Sequence, residues 1–272
     1  MAPKTQQFKA KILFLHGFTQ TASTFYSKTS ALRKRLHKLE YKTVYLNGPY
    51  LVEPTSIGSD LALFDSAGLT NRGWWLKPKA DEGFGLETSI ETLRNYIEKG
   101  EMISDEDNSV VTIELEEDRS LPIVGLVGFS QGAAFAGVLA HNFDKIFNIA
   151  PLKFLVLYGG FKIDMKIKGN DRFQSYFPDP EVPDKHFKYL HVYGELDTVV
   201  GEDRALTLYD ITKGNSDLLK HPGGHFVPNS RLLVDQVTNW IQVATAETHE
   251  QKEKKEESLD DLMDMMDNLG KA

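Results

Sequence analysis

The sequence predicts a three-layer α/β domain on a mainly parallel central sheet, followed by a charged tail. Three observations carry that expectation. Short apolar runs, KILFL (11–15), IVGLVG (123–128), FLVLYGG (154–160) and YLHVYGELD (189–197), have the near-continuous pattern of strands buried on both faces. Segments with apolar residues at helical spacing alternate with them over roughly 235 residues, the signature of helices layered on a parallel sheet. After about Thr245 the chain turns to AETHEQKEKKEE, too polar to build a core of its own. The domain is therefore expected over 1–245 and the tail over 246–272.

Taken in order, KILFL closes on HGF and is the first strand. From about Ser27 to Glu40, Leu32, Leu36 and Leu39 recur at helical spacing with Lys and Arg between them. TVYLN (43–47) is the next strand, stopped by Gly48 and Pro49, which makes a parallel βαβ unit. Residues 50–85 lack periodicity and carry Trp74 and Trp75; a loop that long inside a domain reads as a lid or binding loop. LETSIETLRNYIEKG reads as a helix with Ile90, Leu93 and Ile97 on one face and Gly100 as its stop. The acidic stretch 101–119 is expected to be exposed, with a small hairpin around VVTIEL. After IVGLVG comes QGAAFAGVLAHNF, a helix whose small residues permit close packing on the sheet. A helix near 202–213 and a short strand LLKH (218–221) follow. The body closes with NSRLLVDQVTNWIQVAT, with Asn229 or Ser230 as N-cap and Leu233, Val237, Trp240 and Ile241 facing inward.

Composition removes several function classes. The net charge of −8 argues against a nucleic-acid surface, and the tail from Glu247 to Ala272, with nine acidic residues against four Lys, holds −5 of it. The chain has no cysteine, which excludes a disulfide framework, a thiolate nucleophile and a Cys-ligated zinc site. The apolar run before His16 is too short for a membrane span and no small-residue cleavage site follows it, so a cytoplasmic protein is expected, with access to the nucleus left open. In the tail, Leu259, Leu262, Met263, Met266 and Leu269 fall on one helical face, read either as a frayed end or as a segment that folds onto a protein partner.

The chemistry gathers around Gly128-Phe129-Ser130-Gln131-Gly132. This is G-x-S-x-G between a strand and a helix, the context in which a sharp turn lifts a serine hydroxyl above the strand end. The Gln131 backbone N–H then opens the helix and can donate to a developing oxyanion. A serine hydroxyl needs a base and an orienting acid, expected in the chain order Ser, acid, His. Asp197 at the end of YLHVYGELD and His225 in HPGGHFVPN obey that order. The competitors are Glu195, still within the strand's last turn, Asp203, expected in a helix, and His221, held beside Pro222. A second oxyanion donor is expected from the loop after the first strand, at the Phe18 N–H, with His16 as a buried residue that holds the loop. Trp74 and Trp75 either line an acyl pocket or anchor their loop to the core, and the sequence leaves both open.

LHGF, SALRKRL, GFSQGAA, YGELD and HPGGHFVPNS, in this order, resemble the FSH-type serine hydrolases of fungi, related to the animal ovarian-cancer-associated protein 2. The resemblance spans roughly residues 9–245 and implies an α/β-hydrolase fold with Ser130, Asp197 and His225 as nucleophile, acid and base. It further implies hydrolysis of carboxylic esters or thioesters through an acyl-serine, with no metal or organic cofactor. The acidic stretch at 101–119 and the tail stand apart from that pattern. Two alternatives stay open: a thioesterase releasing a carrier-bound acyl or polyketide chain, and a non-catalytic binding module on the same fold.

Overall fold

A computed structural model describes residues 7–53, 71–77, 82–179 and 187–246. Six strands form the central sheet: β1 (Ala10–Leu15), β2 (Tyr41–Leu46), β3 (Ile123–Phe129), β4 (Phe154–Tyr158), β5 (Lys188–Gly194) and β6 (Ser216–His221). Their spatial order is β6-β5-β4-β3-β1-β2, and every neighbouring pair is parallel. The mainly parallel sheet expected from the apolar runs is therefore what the chain forms.

Alternation along each strand explains the layers. Leu13 and Leu15 of β1, with Leu155 and Leu157 of β4, enter one apolar core. Ile12 and Phe14, with Phe154 and Val156, enter the other. Successive side chains in a strand point to opposite faces, so a sheet covered on both sides must be apolar at nearly every position. The first core is closed by α3 (Leu86–Lys99), α4 (Gln131–Leu139) and α5 (Glu202–Thr212), the second by α1 (Ala22–Lys28), α2 (Ser30–Lys38) and α6 (Arg231–Thr245). This is the three-layer α/β-hydrolase architecture.

Some elements differ from the sequence expectation and others meet it. The helix expected over Ser27–Glu40 is two helices broken at Thr29, whose backbone departs from helical values (φ −105, ψ 20) while its hydroxyl donates back to the Phe25 carbonyl at 2.8 Å and meets the Tyr45 hydroxyl at 2.6 Å. The strand expected through Asp197 stops at Gly194, so Asp197 sits in the loop beyond it. In α6, Ser230 is the N-cap, accepting from the Leu233 N–H. The buried face of α6 is Val234, Val237, Thr238 and Ile241, one residue round from the expected Leu233 and Trp240, which are half-buried. The acidic stretch pairs Glu101–Ile103 with Val110–Thr112 as an antiparallel hairpin, its second strand exposed. The tail face from Leu259 to Leu269 and most of the 50–85 loop lie outside the described residues.

The topology also locates a crevice. From β1 the chain steps to β2 on one side, then returns to place β3 on the other. In open α/β sheets ligands collect beyond the carboxyl ends of strands at such a reversal. The loops that leave β1 and β3 face each other there.

Candidate active site

β3 ends at Phe129, and the next residue has φ 51 and ψ −115, a conformation that an L-residue adopts only under constraint. That residue is Ser130. Its N–H donates to the Tyr158 carbonyl at 2.8 Å and its carbonyl accepts from Ala134 at 2.9 Å, so the turn is tied to β4 behind and to α4 ahead. The flanking glycines answer two different close approaches. A Cβ on Gly128 would lie 2.5 Å from the Ala133 Cα, and one on Gly132 would lie 2.2 Å from the Leu15 carbonyl oxygen. The first permits the sharp turn, and the second lets α4 press on the end of β1.

Asp197 and His225 come from the loops after β5 and β6. These loops are stitched together: Glu195 N–H donates to the His221 carbonyl at 2.8 Å and Leu196 N–H to the Gly223 carbonyl at 3.0 Å. Across them, His225 Nδ1 and Asp197 Oδ2 are 2.7 Å apart. The other carboxylate oxygen accepts from the Val199 and Val200 N–H groups at 2.9 and 2.8 Å. With its side chain only 2% exposed, Asp197 has little water to bond, and these donors occupy its oxygens instead. Behind the imidazole lies Phe129, ring centroids 4.8 Å apart. Gly159, at φ 55, leaves the remaining room, since a Cβ there would sit 3.0 Å from His225 Cε1.

The competing residues lie elsewhere. Glu195 is exposed and 3.8 Å from Lys220, and Asp203 is exposed in the first turn of α5. His221 is buried, accepts from the Gly223 N–H at 3.2 Å and has its pKa lowered by burial.

Ser130 and His225 both line one cavity of about 600 Å³. Phe18 and Gln131 line it too, and neither backbone N–H has an acceptor among the described residues. Of the tryptophans, Trp75 lines the cavity, 5.1 Å from the Phe84 ring. Trp74 is core: fully buried, stacked on Phe135, with Nε1 donating to the His16 carbonyl at 2.8 Å. His16 itself is a clip. Its Nδ1–H donates to the Gly17 carbonyl at 2.7 Å and its Nε2 accepts from the Gly48 N–H at 2.9 Å, a pattern only the neutral ring satisfies. Burial accordingly lowers its pKa from the ordinary 6.5 to about 4.

Two contributors carried no readable signal beforehand. The Gln131 side chain accepts from the Trp74 N–H and donates to the Trp75 carbonyl, both at 2.8 Å, so the residue after the serine clamps the cavity wall to the turn. Gly159 makes space for His225, and its only sequence signal is the Gly-Gly pair closing FLVLYGG. Among the described residues no helix is long and apolar enough to cross a membrane.

The chain has relatives among known proteins. The family described as Serine hydrolase (FSH1) matches residues 6–237. Family of serine hydrolases 3 from Saccharomyces cerevisiae is 35% identical over 258 residues, covering 88% of this chain and 86% of its own length. Esterase OVCA2 from Danio rerio is 28% identical over 234 residues, 80% of this chain and 90% of that protein. Among solved structures, acyl-protein thioesterase 2 of Zea mays superposes with a TM-score of 0.54 at 19% identity, over 90% of this chain and 97% of that one. That last likeness is one of fold alone.

Proposed function

Since the chain belongs to the FSH1 family of serine hydrolases, we propose that it cleaves carboxylic esters or thioesters with Ser130 as nucleophile, His225 as base and Asp197 as the orienting acid. Ser130 Oγ attacks the carbonyl carbon while its proton passes to His225 Nε2. The oxyanion is held by the N–H groups of Phe18 and Gln131, preorganised donors that need no reorientation as charge develops. Collapse breaks the bond to the leaving alcohol or thiol, which takes the proton from His225. Water, deprotonated by the same imidazole, then cleaves the acyl-serine and restores the enzyme. Asp197 holds the Nδ1–H tautomer throughout and stabilises the transient imidazolium.

The observation that carries this reading is the 2.7 Å Asp197–His225 contact, opening on the cavity that Ser130 also lines from a strained turn. The shape of the cavity supports an acyl substrate. Trp75, Phe84, Phe161 and Val200 give it apolar lining, and Gln20, Thr24 and Asn71 give it polar lining. The acyl chain is assigned to the apolar lining and the leaving group to the polar one.

The test is covalent labelling with a fluorophosphonate probe beside hydrolysis of esters and thioesters of graded acyl length. The wild-type protein is expected to label and turn over, and Ser130→Ala to do neither while melting at a similar temperature. Labelling that persists in Ser130→Ala defeats the assignment.

A further inference from the structure

Resting on the reading of the Phe18 N–H as an oxyanion donor, we propose that the acidic hairpin at 101–112 is a positioning element for that donor, acting through Arg72 and Asn47. The loop that presents Phe18 is under strain, because its next residue, the β-branched Thr19, has φ 61. Such a conformation is costly and persists only when its surroundings over-determine it.

Arg72 supplies one constraint. Its carbonyl accepts from the Thr19 N–H at 2.9 Å and its N–H donates to the Gln20 carbonyl at 3.2 Å, an antiparallel bridge to Gln20 that takes one of its bonds from the strained residue. The fully buried side chain reaches the other way. There the guanidinium donates to the carbonyls of Gly48 (3.2 Å), Asp105 (3.5 Å) and Asp107. Asn47, equally buried, supplies the second constraint. Its Oδ1 accepts from the N–H of Ala22, the first residue of α1, at 2.7 Å. Its Nδ2 donates to the Ile103 carbonyl at 2.9 Å and to Asp105 Oδ1 at 2.7 Å.

The hairpin turn thus grips two buried side chains, and these hold the oxyanion loop at Thr19 and at Ala22. The acidity of the turn fits this role. Burial pulls the Arg72 guanidinium below its ordinary pKa, and the charges of Asp105 and Asp107 act in the opposite direction. None of the hairpin residues lines the cavity. They act on the reaction only through the loop.

Asp105 gives the cleanest test, since it is half-exposed and remote from the cavity. Asp105→Ala removes the acceptor for Asn47, Asp105→Asn keeps an oxygen in place, and Arg72→Lys keeps charge but loses the fork. Losing an oxyanion donor outright costs about 10²–10³ in kcat, so a misplaced one is expected to cost about tenfold. We expect kcat per probe-titrated serine to fall by about that factor in Asp105→Ala and Arg72→Lys, with KM within about twofold, and to recover in Asp105→Asn. Affinity for a trifluoromethyl ketone, whose adduct places an oxyanion between Phe18 and Gln131, should fall in proportion to kcat/KM. Unchanged kcat and ketone affinity in Asp105→Ala overturn the proposal, as does failure of Asp105→Asn to restore them. Should Arg72→Lys not fold, the Asp105 pair decides alone. These outcomes are read against wild-type labelling that Ser130→Ala abolishes, so failure of the hydrolase reading registers separately.

Discussion

Two turns beside the cavity hold a non-glycine residue at positive φ, Ser130 at 51° after β3 and Thr19 at 61° after β1, and they are held by different means. The Ser130 turn is local. Its constraint comes from the strand before it, the helix after it and the two glycines of its own pentapeptide, with one outward bond from the Ser130 N–H to the Tyr158 carbonyl of β4. The Thr19 loop is held from a distance: His16 bonds Gly48, the Gln20 side chain accepts from the Gly17 N–H, and Arg72 spans to Asp105 and Asp107. A residue at positive φ can therefore be held mainly by its near neighbours or by ties spread over some ninety residues. The two arrangements should respond differently to mutation.

The largest effect belongs to the local turn. Ser130→Gly should lower hydrolysis by three orders of magnitude or more, yet raise unfolding free energy by about 1 kcal/mol over Ser130→Ala, because glycine accepts this backbone without strain. Chemical denaturation of the two variants measures this, and equal stability would mean that the turn stores no strain.

Next comes the pH response of the remote clips. The folded-state pKa of His16 lies near 4, below the unfolded value near 6.5. The unfolded chain therefore binds the proton first, and the contribution of His16 is fully present above about pH 6.5 and is lost as pH falls towards 4. Between pH 7.5 and 5 the loss is about 2 kcal/mol. His191, lowered to about 3 by burial on β5, adds a loss of similar size. Urea midpoints across this range should drop in the wild type, and His16→Gln should remove from the drop a share worth about 2 kcal/mol. A drop unchanged by His16→Gln would deny the clip its proton linkage.

Gln131 joins the two kinds of constraint, standing in the local turn while clamping a remote wall. Gln131→Ala keeps its backbone N–H but orphans the Trp74 N–H and Trp75 carbonyl, a cost of about 1–3 kcal/mol. With the wall loosened, kcat/KM should fall by about tenfold, near 1.4 kcal/mol of barrier. Thermal melts and steady-state kinetics on the same preparation test both halves. The smallest change is expected from Trp75→Ala, which enlarges the cavity and should shift the preferred acyl length by two or more carbons, each CH₂ being worth about 0.8 kcal/mol. An unaltered length profile would leave Trp75 a wall without selectivity.

By itself the sequence determined the sheet, its parallel sense and the turn at Ser130. Each rests on near neighbours in the chain: apolar runs, alternating periods, a pentapeptide between strand and helix. It also singled out Asp197 and His225 by residue type and order, although the strand before Asp197 ends three residues earlier than the apolar run suggested. Only the tertiary structure decided what surrounds these groups. The acceptors for Arg72 are chiefly main-chain carbonyls, which every residue carries and no residue type advertises. The room cleared by Gly159, the clamp from Gln131 and the division of labour between Trp74 and Trp75 depend in the same way on which distant segments pack together. Local patterns specify elements because their physics is local. Contacts between segments far apart in the chain follow from the packing of the whole, so their partners are legible only once the chain has folded.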